Sequence, residues 1–160
     1  AIPFIKTQES RTGAQINAYK DVDYTIAAGF KWRIGWGSDT ITTPGGSPKA
    51  VKEGDVITQS QADADLERRL KTEFKPKVIT TCRANGVNYD SLPSNVKTVF
   101  IDCAYNYGSL WNDIVISYRD GGTQGLIQEL QRRIDRGASQ VPKRRGAEIE
   151  HLGGVPRYNN

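Results

Sequence analysis

The spacing of apolar residues divides the chain into a short helix, a strand-rich segment and a long helical segment. Residues 2–9 repeat apolar positions with helical spacing, and Pro3 suits the first turn of that helix. Residues 16–41 are rich in Tyr, Trp, Ile, Thr and Gly, which predicts two or three short strands joined by glycine turns. The stretch 43–49 contains Pro, Gly and Ser and predicts a loop.

Helical spacing continues from residue 58 to near the end of the chain. Thr58 and Gln61 have the spacing of a capping box, so we predict a helix that begins there and ends or kinks at Lys75-Pro76. Apolar residues then recur at intervals of three and four in several further segments. These predict helices over 77–84, from Ser94 to Gly108, from Trp111 to Gly121-Gly122, from Leu126 to Gly137 and from Pro142 to about Leu152. Ser94 is the predicted N-cap of the second of these helices, and its apolar spacing predicts that this helix is central to the core.

This order of elements predicts an α+β fold. We expect a single domain over residues 1–160, with a β-rich lobe at about residues 12–57. The helical lobe takes in about residues 58–160 together with the N-terminal helix. A cleft between two such lobes is a natural binding place for an elongated ligand.

Composition narrows the class of protein. Hydrophobic residues make up 37% and charged residues 25% of the chain, as expected for a globular protein that is not disordered. No apolar run approaches transmembrane length, and the start Ala1-Ile2-Pro3-Phe4 shows no signal peptide. We therefore expect a protein that stays in the cytoplasm where it is made, belongs to a larger particle, or is cut from a precursor.

The net charge of +4 comes with a group of basic residues late in the chain. A basic face attracts polyanions such as nucleic acid or the bacterial envelope. A solvated helix face with Glu148 and Glu150 as partners explains the same pattern, and we expect no nucleic-acid partner. The basic residues are Arg132, Arg133, Arg136, Lys143, Arg144 and Arg145.

The cysteines and the histidine favour no metal site. Cys82 and Cys103 lack metal-ligand spacing, and His151 is the only histidine. Cys103 lies in an apolar helical pattern typical of a core position. A disulfide between the cysteines and a Cys–His nucleophile pair both stay open, and we expect no metal and no cofactor.

Three segments near the start of the chain carry the strongest functional pattern. Phe4–Glu9 ends in a carboxylate, Ala18-Tyr19-Lys20-Asp21 follows, and the Trp32–Ser38 segment is aromatic and glycine-rich. They resemble the first helix, the "AYKD" strand and the "YTIGYGH" hairpin of the phage-type lysozymes, the endolysin family of glycoside hydrolases (family 24). Later segments resemble that family's other motifs in the same order: 54–70, 99–108 and 141–148.

The resemblance implies a lysozyme-like fold and a muramidase, which cuts the β-1,4 bond between N-acetylmuramic acid and N-acetylglucosamine in peptidoglycan. Glu9 matches the family's catalytic Glu and is expected to protonate the glycosidic oxygen. Asp21 matches the second acid, which orients water or stabilises an oxocarbenium-like centre. Asp39 is the alternative second acid, because relatives with longer hairpins place that acid after the hairpin motif. A carboxyl separation of roughly 6.5–9.5 Å predicts inversion of configuration.

Arg33 departs from the family, which has Thr at that position to help hold the attacking water. As a catalytic-site residue it either pairs with Glu9 or Asp21, or binds an acidic group of the ligand; otherwise it is a substitution that weakens hydrolysis. The spacings from Glu9 to Asp21 and from Asp21 to Arg33 are also longer than is usual. Two alternatives to the muramidase therefore stay open: a lytic transglycosylase in which Glu9 acts alone, and a non-catalytic lysozyme-like domain that binds peptidoglycan or is structural.

Aromatic and amide side chains supply candidate sugar contacts. Tyr24, Trp32 and Trp36 either stack on sugar rings or belong to the core of the small sheet. Asn106 either lines the groove or caps its helix, and Trp111 is expected in the core. The predicted partner is bacterial peptidoglycan, with the protein a monomer in the host cytoplasm before its release to the cell wall, or associated with a virion.

Overall fold

The structure of the protein is a computed structural model that describes residues 1–10, 13–22, 26–43, 46–136 and 142–158. The chain divides into two compact units, Ile2–Thr72 and Glu73–Asn160, the second together with Ala1. The predicted lobe boundaries stay a prediction.

The first unit combines helices with short antiparallel strands, which confirms the α+β expectation. Its helices are α1 (Ile2–Glu9) and α2 (Gln59–Arg69), and its strands are β1 (Gln15–Val22), β2 (Phe30–Gly35), β3 (Thr40–Ile41) and β4 (Lys49–Ala50). The predicted helix over 2–9 and the predicted strands within 16–41 are thus confirmed. Its buried apolar side chains are Ile5, Ile34, Trp36, Ile41, Ile57, Ala62, Leu66 and Leu70.

The main sheet of this unit is the antiparallel pair of β1 and β2. Tyr19 lies opposite Arg33 and Asp21 lies opposite Lys31, while a register shift separates Gln15 from Tyr19. Because alternate residues of a strand share a face, Tyr19 and Asp21 lie on one face and Arg33 is within diagonal reach of Asp21.

The capping box at the start of α2 is confirmed. Thr58 Oγ1 accepts a hydrogen bond from the backbone N–H of Gln61 at 3.1 Å, and Gln61 Oε1 accepts from the backbone N–H of Thr58 at 2.8 Å. The predicted end or kink at Lys75-Pro76 takes the form of a π-helical turn over Leu70–Phe74, after which α3 (Lys75–Ala84) begins. Pro76 lies in the first turn of α3, the part of a helix in which proline is best tolerated.

The second unit is helical. It contains α3, a 3₁₀ turn at Tyr89–Ser91, α4 (Ser94–Tyr107), α5 (Asn112–Asp135) and α6 (Pro142–His151). α4 is the most buried helix described, since Val96 and residues 98–104 are all buried. This confirms the prediction that α4 lies in the core.

Two details of the helix ends differ from the sequence-based expectation. Ser94 is the first helical residue and makes no capping hydrogen bond, because Pro93 occupies the N-cap position. The predicted break at Gly121-Gly122 is a kink inside α5, where Gly122 has φ 62° and ψ −155°. The predicted end at Gly137 lies outside the described residues.

Both cysteines are buried free thiols, which excludes the disulfide that the sequence left open. Burial raises the pKa of the Cys82 thiol to about 11. Cys103 donates to Glu148 Oε2 at 3.2 Å, and burial, followed by the charge of Glu148, raises its pKa well above the ordinary value. Neither thiol has the depressed pKa of a nucleophile.

The expectation of a solvated basic face was wrong for Arg133, Arg144 and Arg145, which are buried. Arg144 donates to both carboxylate oxygens of Asp102, at 2.6 and 3.0 Å, and Arg145 Nε lies 2.6 Å from Glu148 Oε1. The sequence pattern misses this because Asp102 lies on α4, far from α6 in sequence. In the described part of the chain, no helix has the length and apolar character needed to span a membrane.

Candidate active site

Glu9 ends α1, and its carboxylate lies against Gly37. A Cβ atom placed on Gly37 would be only 2.6 Å from Glu9 Oε2, so the space beside the carboxylate exists because residue 37 has no side chain. Gly37 also has φ +80°, a conformation that side chains rarely adopt. Glycine at position 37 therefore allows the backbone conformation of the turn and leaves space for the Glu9 carboxylate.

The turn that presents Gly37 is closed by two backbone hydrogen bonds. Ile34 and Ser38 exchange N–H···O bonds of 2.8 and 2.9 Å, with Gly35, Trp36 and Gly37 between them. Trp36 is only 6% exposed and donates its indole N–H to Asp63 at 2.8 Å. The tip of the turn is therefore fixed by the packing and hydrogen bonding of Trp36.

Arg33 pairs with Asp21, one of the alternatives that the sequence left open. Its Nε lies 2.9 Å from Asp21 Oδ2, and its Nη1 donates to the carbonyl of Gly37 at 3.3 Å. Arg33 therefore connects the candidate second acid to the turn against which Glu9 lies. Asp21 keeps half of its side chain exposed, so this carboxylate remains open to water.

Tyr19 is a further residue close to the site, and the sequence did not identify it as a functional residue. Burial raises the pKa of its phenol, and the nearby charges of Asp21 and Glu9 raise it further. The charge of Arg33 lowers the pKa of the same phenol. Both candidate acids and the arginine thus lie within electrostatic range of one phenol. The signal in the sequence is that Tyr19 lies two residues before Asp21, on the same face of β1.

Asp39 lies in a separate ion pair. Its Oδ2 accepts from Lys31 Nζ at 2.7 Å. Burial by itself would raise the pKa of Asp39, but the hydrogen bond and charge of Lys31, with smaller contributions from Arg69 and Arg33, hold it below the ordinary value. Both candidate second acids are therefore paired with a cation.

The predicted sugar-contacting residues differ in their surroundings. Trp32 is half-buried, lies edge-on to Phe30 with 6.2 Å between ring centroids, and has Lys20 above its ring at 5.6 Å. Trp36 has the core environment described above, which was the alternative kept open for it. Tyr24 lies outside the described residues.

Two candidate residues lie in the second unit. Asn106 is half-buried and accepts a hydrogen bond from Arg145 Nη2 at 3.1 Å, and its predicted contact with substrate stays a prediction. Trp111 is 47% exposed, so the expectation that it belongs to the core was wrong. Its neighbour Leu110 is buried in its place.

Comparisons with known proteins bear on the same residues. A model of the phage lysozyme family matches residues 9–148, which begin at Glu9 and end at Glu148. Among solved structures, an endolysin from Escherichia coli O157:H7 phage FAHEc1 has a similar fold, with a TM-score of 0.63 and 22% identity over 98% of this chain and 92% of that one. No curated protein matches the chain. The family match covers most of the sequence, and the chain therefore belongs to the phage lysozyme family, a family of peptidoglycan-hydrolysing glycosidases.

Proposed function

We propose that the protein is a muramidase that cleaves the β-1,4 bond between N-acetylmuramic acid and N-acetylglucosamine. The observation that carries this proposal is the position of the Glu9 carboxylate against Gly37, with Asp21 and Arg33 tied to the same turn. A glycosidase needs one carboxyl group that donates a proton and one that stays ionised. Glu9 and Asp21 are the pair to which we assign these roles.

Glu9 is the proton donor in this proposal. Its carboxyl group comes from the end of a helix and is packed against a hydrogen-bonded turn, and both of these elements are rigid. A fixed position matters because proton transfer to the glycosidic oxygen requires hydrogen-bond distance in the reacting complex.

Asp21 is the ionised partner. A carboxylate at this position can orient water or stabilise positive charge at the anomeric carbon. Arg33 thereby takes a positioning role, since it holds Asp21 at 2.9 Å and contacts the carbonyl of Gly37. Asp39 is the alternative partner, with Lys31 in the equivalent relation to it.

The test is mass spectrometry of the products from purified peptidoglycan. We expect the wild type to release fragments with hydrated reducing ends, Glu9→Gln to release none, and Asp21→Asn to lose most activity. Asp120→Asn is the matched control, because Asp120 is also an exposed carboxylate 2.9 Å from an arginine, Arg119. An absence of products from the wild type contradicts the proposal and leaves a glycan-binding or structural domain.

A lytic transglycosylase is the second candidate, and the ion pairing of both aspartates favours it. A carboxylate oxygen that is held in an ion pair is less free to bind the attacking water, whereas a transglycosylase needs only the acid on Glu9. This candidate predicts anhydro ends in the same experiment. It also predicts that Asp21→Asn and Asp39→Asn both keep activity, the reverse of the expectation for the muramidase.

A further inference from the structure

Trp111 presents a half-exposed ring on the second unit. It is 47% exposed, and the residues around it in sequence, Ser109, Asn112 and Asp113, are polar and exposed. Leu110 beside it is buried, which shows that the local chain could place an apolar side chain in the core. An indole has a large apolar face and one polar N–H, so this exposed ring is suited to a ligand that is itself part apolar and part polar.

The segment that carries Trp111 is held in place by one face of α3. Lys77 donates to the carbonyl of Gly108 at 2.9 Å, and Thr81 donates to the carbonyl of Leu110 at 3.3 Å. The third bond joins the side chains of Asn85 and Asn112 at 2.9 Å. Lys77, Thr81 and Asn85, the last of which is the C-cap of α3, lie four residues apart and therefore on one side of that helix. The backbone that positions Trp111 is thus fixed before any ligand binds, which lowers the entropy cost of binding.

The ring itself is stacked on one side. Tyr107 stacks on Trp111 with 5.1 Å between centroids, and the guanidinium of Arg133 lies 4.7 Å from the Trp111 centroid and 5.4 Å from the Tyr107 centroid. Because these three distances are similar, Tyr107 and Arg133 lie next to each other against the indole. The exposed part of Trp111 lies away from these two side chains.

Charge around the ring argues for a neutral ligand. Arg133 is only 9% exposed and pairs with Asp113 at 2.9 Å and with Glu129 at 3.5 Å, so its charge is compensated. Asp113 remains 57% exposed, and Arg133 fixes one of its oxygens. An anionic polymer such as nucleic acid would need uncompensated cations here.

We propose that Trp111 and Asp113 form a glycan-binding platform, in which Trp111 stacks on the apolar face of an N-acetylated pyranose and Asp113 accepts hydrogen bonds from its hydroxyl groups. A pyranose ring offers C–H groups on one face and hydroxyl groups at its edge, which matches an aromatic face beside a fixed carboxylate. This inference rests on the proposed function, since it takes the glycan strand of peptidoglycan as the ligand. The platform adds a binding contact and takes no part in bond cleavage.

The test uses a soluble hexamer of N-acetylglucosamine and the Glu9→Gln protein, so that no ligand is consumed. The chain has three tryptophans, so the indole N–H region of an NMR spectrum contains three signals at most, and Trp111→Phe identifies the one from residue 111. We expect the hexamer to shift this signal in a saturable way. Trp111→Ala is expected to weaken binding at least about tenfold, whereas Trp111→Tyr keeps part of the stacking and loses less.

Tyr158→Ala is the matched control, because Tyr158 is an aromatic residue of the same unit with 48% exposure. We expect this variant to keep the affinity of its parent. In the Glu9-containing protein, Trp111→Ala is expected to raise KM for peptidoglycan with kcat unchanged, which a merely structural role would not produce. The thermal unfolding of each variant shows whether it is folded.

The platform is contradicted if the Trp111 signal does not move on addition of the hexamer, whatever the behaviour of the Ala variant. It is also contradicted if Trp111→Ala abolishes self-association and leaves sugar binding unchanged, since the ring then contacts a second copy of the chain. Failure of the proposed function gives a different result, because the wild-type protein then releases no peptidoglycan fragments. The binding experiment does not depend on cleavage, so it tests the platform separately.

Discussion

Replacing Gly37 with alanine moves the Glu9 carboxylate without touching Glu9 itself. The added Cβ would lie 2.6 Å from Glu9 Oε2, closer than the 3.0 Å below which real Cβ contacts essentially never fall. Because the contact is with the end of a flexible side chain, Glu9 is the group that retreats. A shift of roughly 0.4 Å brings the two atoms to 3.0 Å, and a shift of roughly 0.8 Å brings them to 3.4 Å, where ordinary van der Waals contact begins.

The Gly37→Ala variant is expected to have two separable effects, one on stability and one on activity. The backbone at φ +80° is unfavourable for alanine by about 1–2 kcal/mol, which lowers the free energy of unfolding. Displacement of a catalytic group by about 1 Å costs roughly 100-fold in rate, so a shift of this size predicts a loss in kcat/KM of about 10- to 100-fold. The expected signature is a modest loss of stability together with a large loss of activity.

Gly54→Ala is the control for the loss of stability that alanine causes at a positive φ, without the contact to Glu9. Gly54 has φ +84°, close to that of Gly37, and a Cβ placed there meets nothing within 4 Å. Urea unfolding should therefore show similar destabilisation for both variants, while turbidity loss of a peptidoglycan suspension should slow only for Gly37→Ala. Full activity of a folded Gly37→Ala protein would refute the placement of Glu9 as proton donor against this turn.

Three further predictions concern interactions that the structure shows directly. Lys31→Gln is expected to raise the pKa of Asp39 and to lower the free energy of unfolding by less than about 1 kcal/mol at pH 7, because the pair is partly exposed. Since the pKa of Asp39 is lowered by folding, this stability is present above its ordinary value of 3.8 and lost as pH falls below it. NMR titration measures the pKa of Asp39 in both proteins, and urea unfolding at pH 7 and pH 2 measures the difference in stability between them. A stability difference of the same size at the two pH values would contradict the prediction. Asp102→Ala is expected to cost about 3–5 kcal/mol in chemical unfolding, because it removes a buried ion pair and both hydrogen bonds from Arg144 to the carboxylate, and a double variant with Arg144→Leu should recover part of that loss. Thr58→Ala removes the cap of α2 and is expected to cost about 0.5–2 kcal/mol; no change in thermal unfolding would show that the capping box does not stabilise the unit.

Local patterns in the sequence were enough to find most elements. The capping box at Thr58 and the left-handed glycine that closes α4 at Gly108 act through neighbouring backbone groups, so the sequence contains all the information that they need. The helical spacing of α4 likewise predicted its burial. Ser94 was misassigned because Pro93 occupies the position that a capping side chain would need.

The candidate site was predicted in part. The order of Glu9, Asp21 and the glycine-rich hairpin could be read from the sequence, because each lies in a short motif that resembles the family. The partner of Arg33 could not be predicted, because the pairing depends on the strand register. This register places Tyr19 opposite Arg33 and so brings Asp21 within reach of the guanidinium. The role of Gly37 as the space beside Glu9 depends on how α1 lies against the hairpin, which no local pattern specifies.

The sequence by itself determined most elements, the cap of α2 and the identity of the candidate acids, because these follow from interactions between residues close together in the chain. Tertiary structure alone decided which charges are buried and which aromatic rings are exposed. Arg145 is buried against Glu148 one helical turn away, yet Trp111, an apolar residue in a helical pattern, is half-exposed. Burial depends on what packs against a side chain, and for both residues those neighbours include segments distant in sequence, whose arrangement only the folded chain establishes.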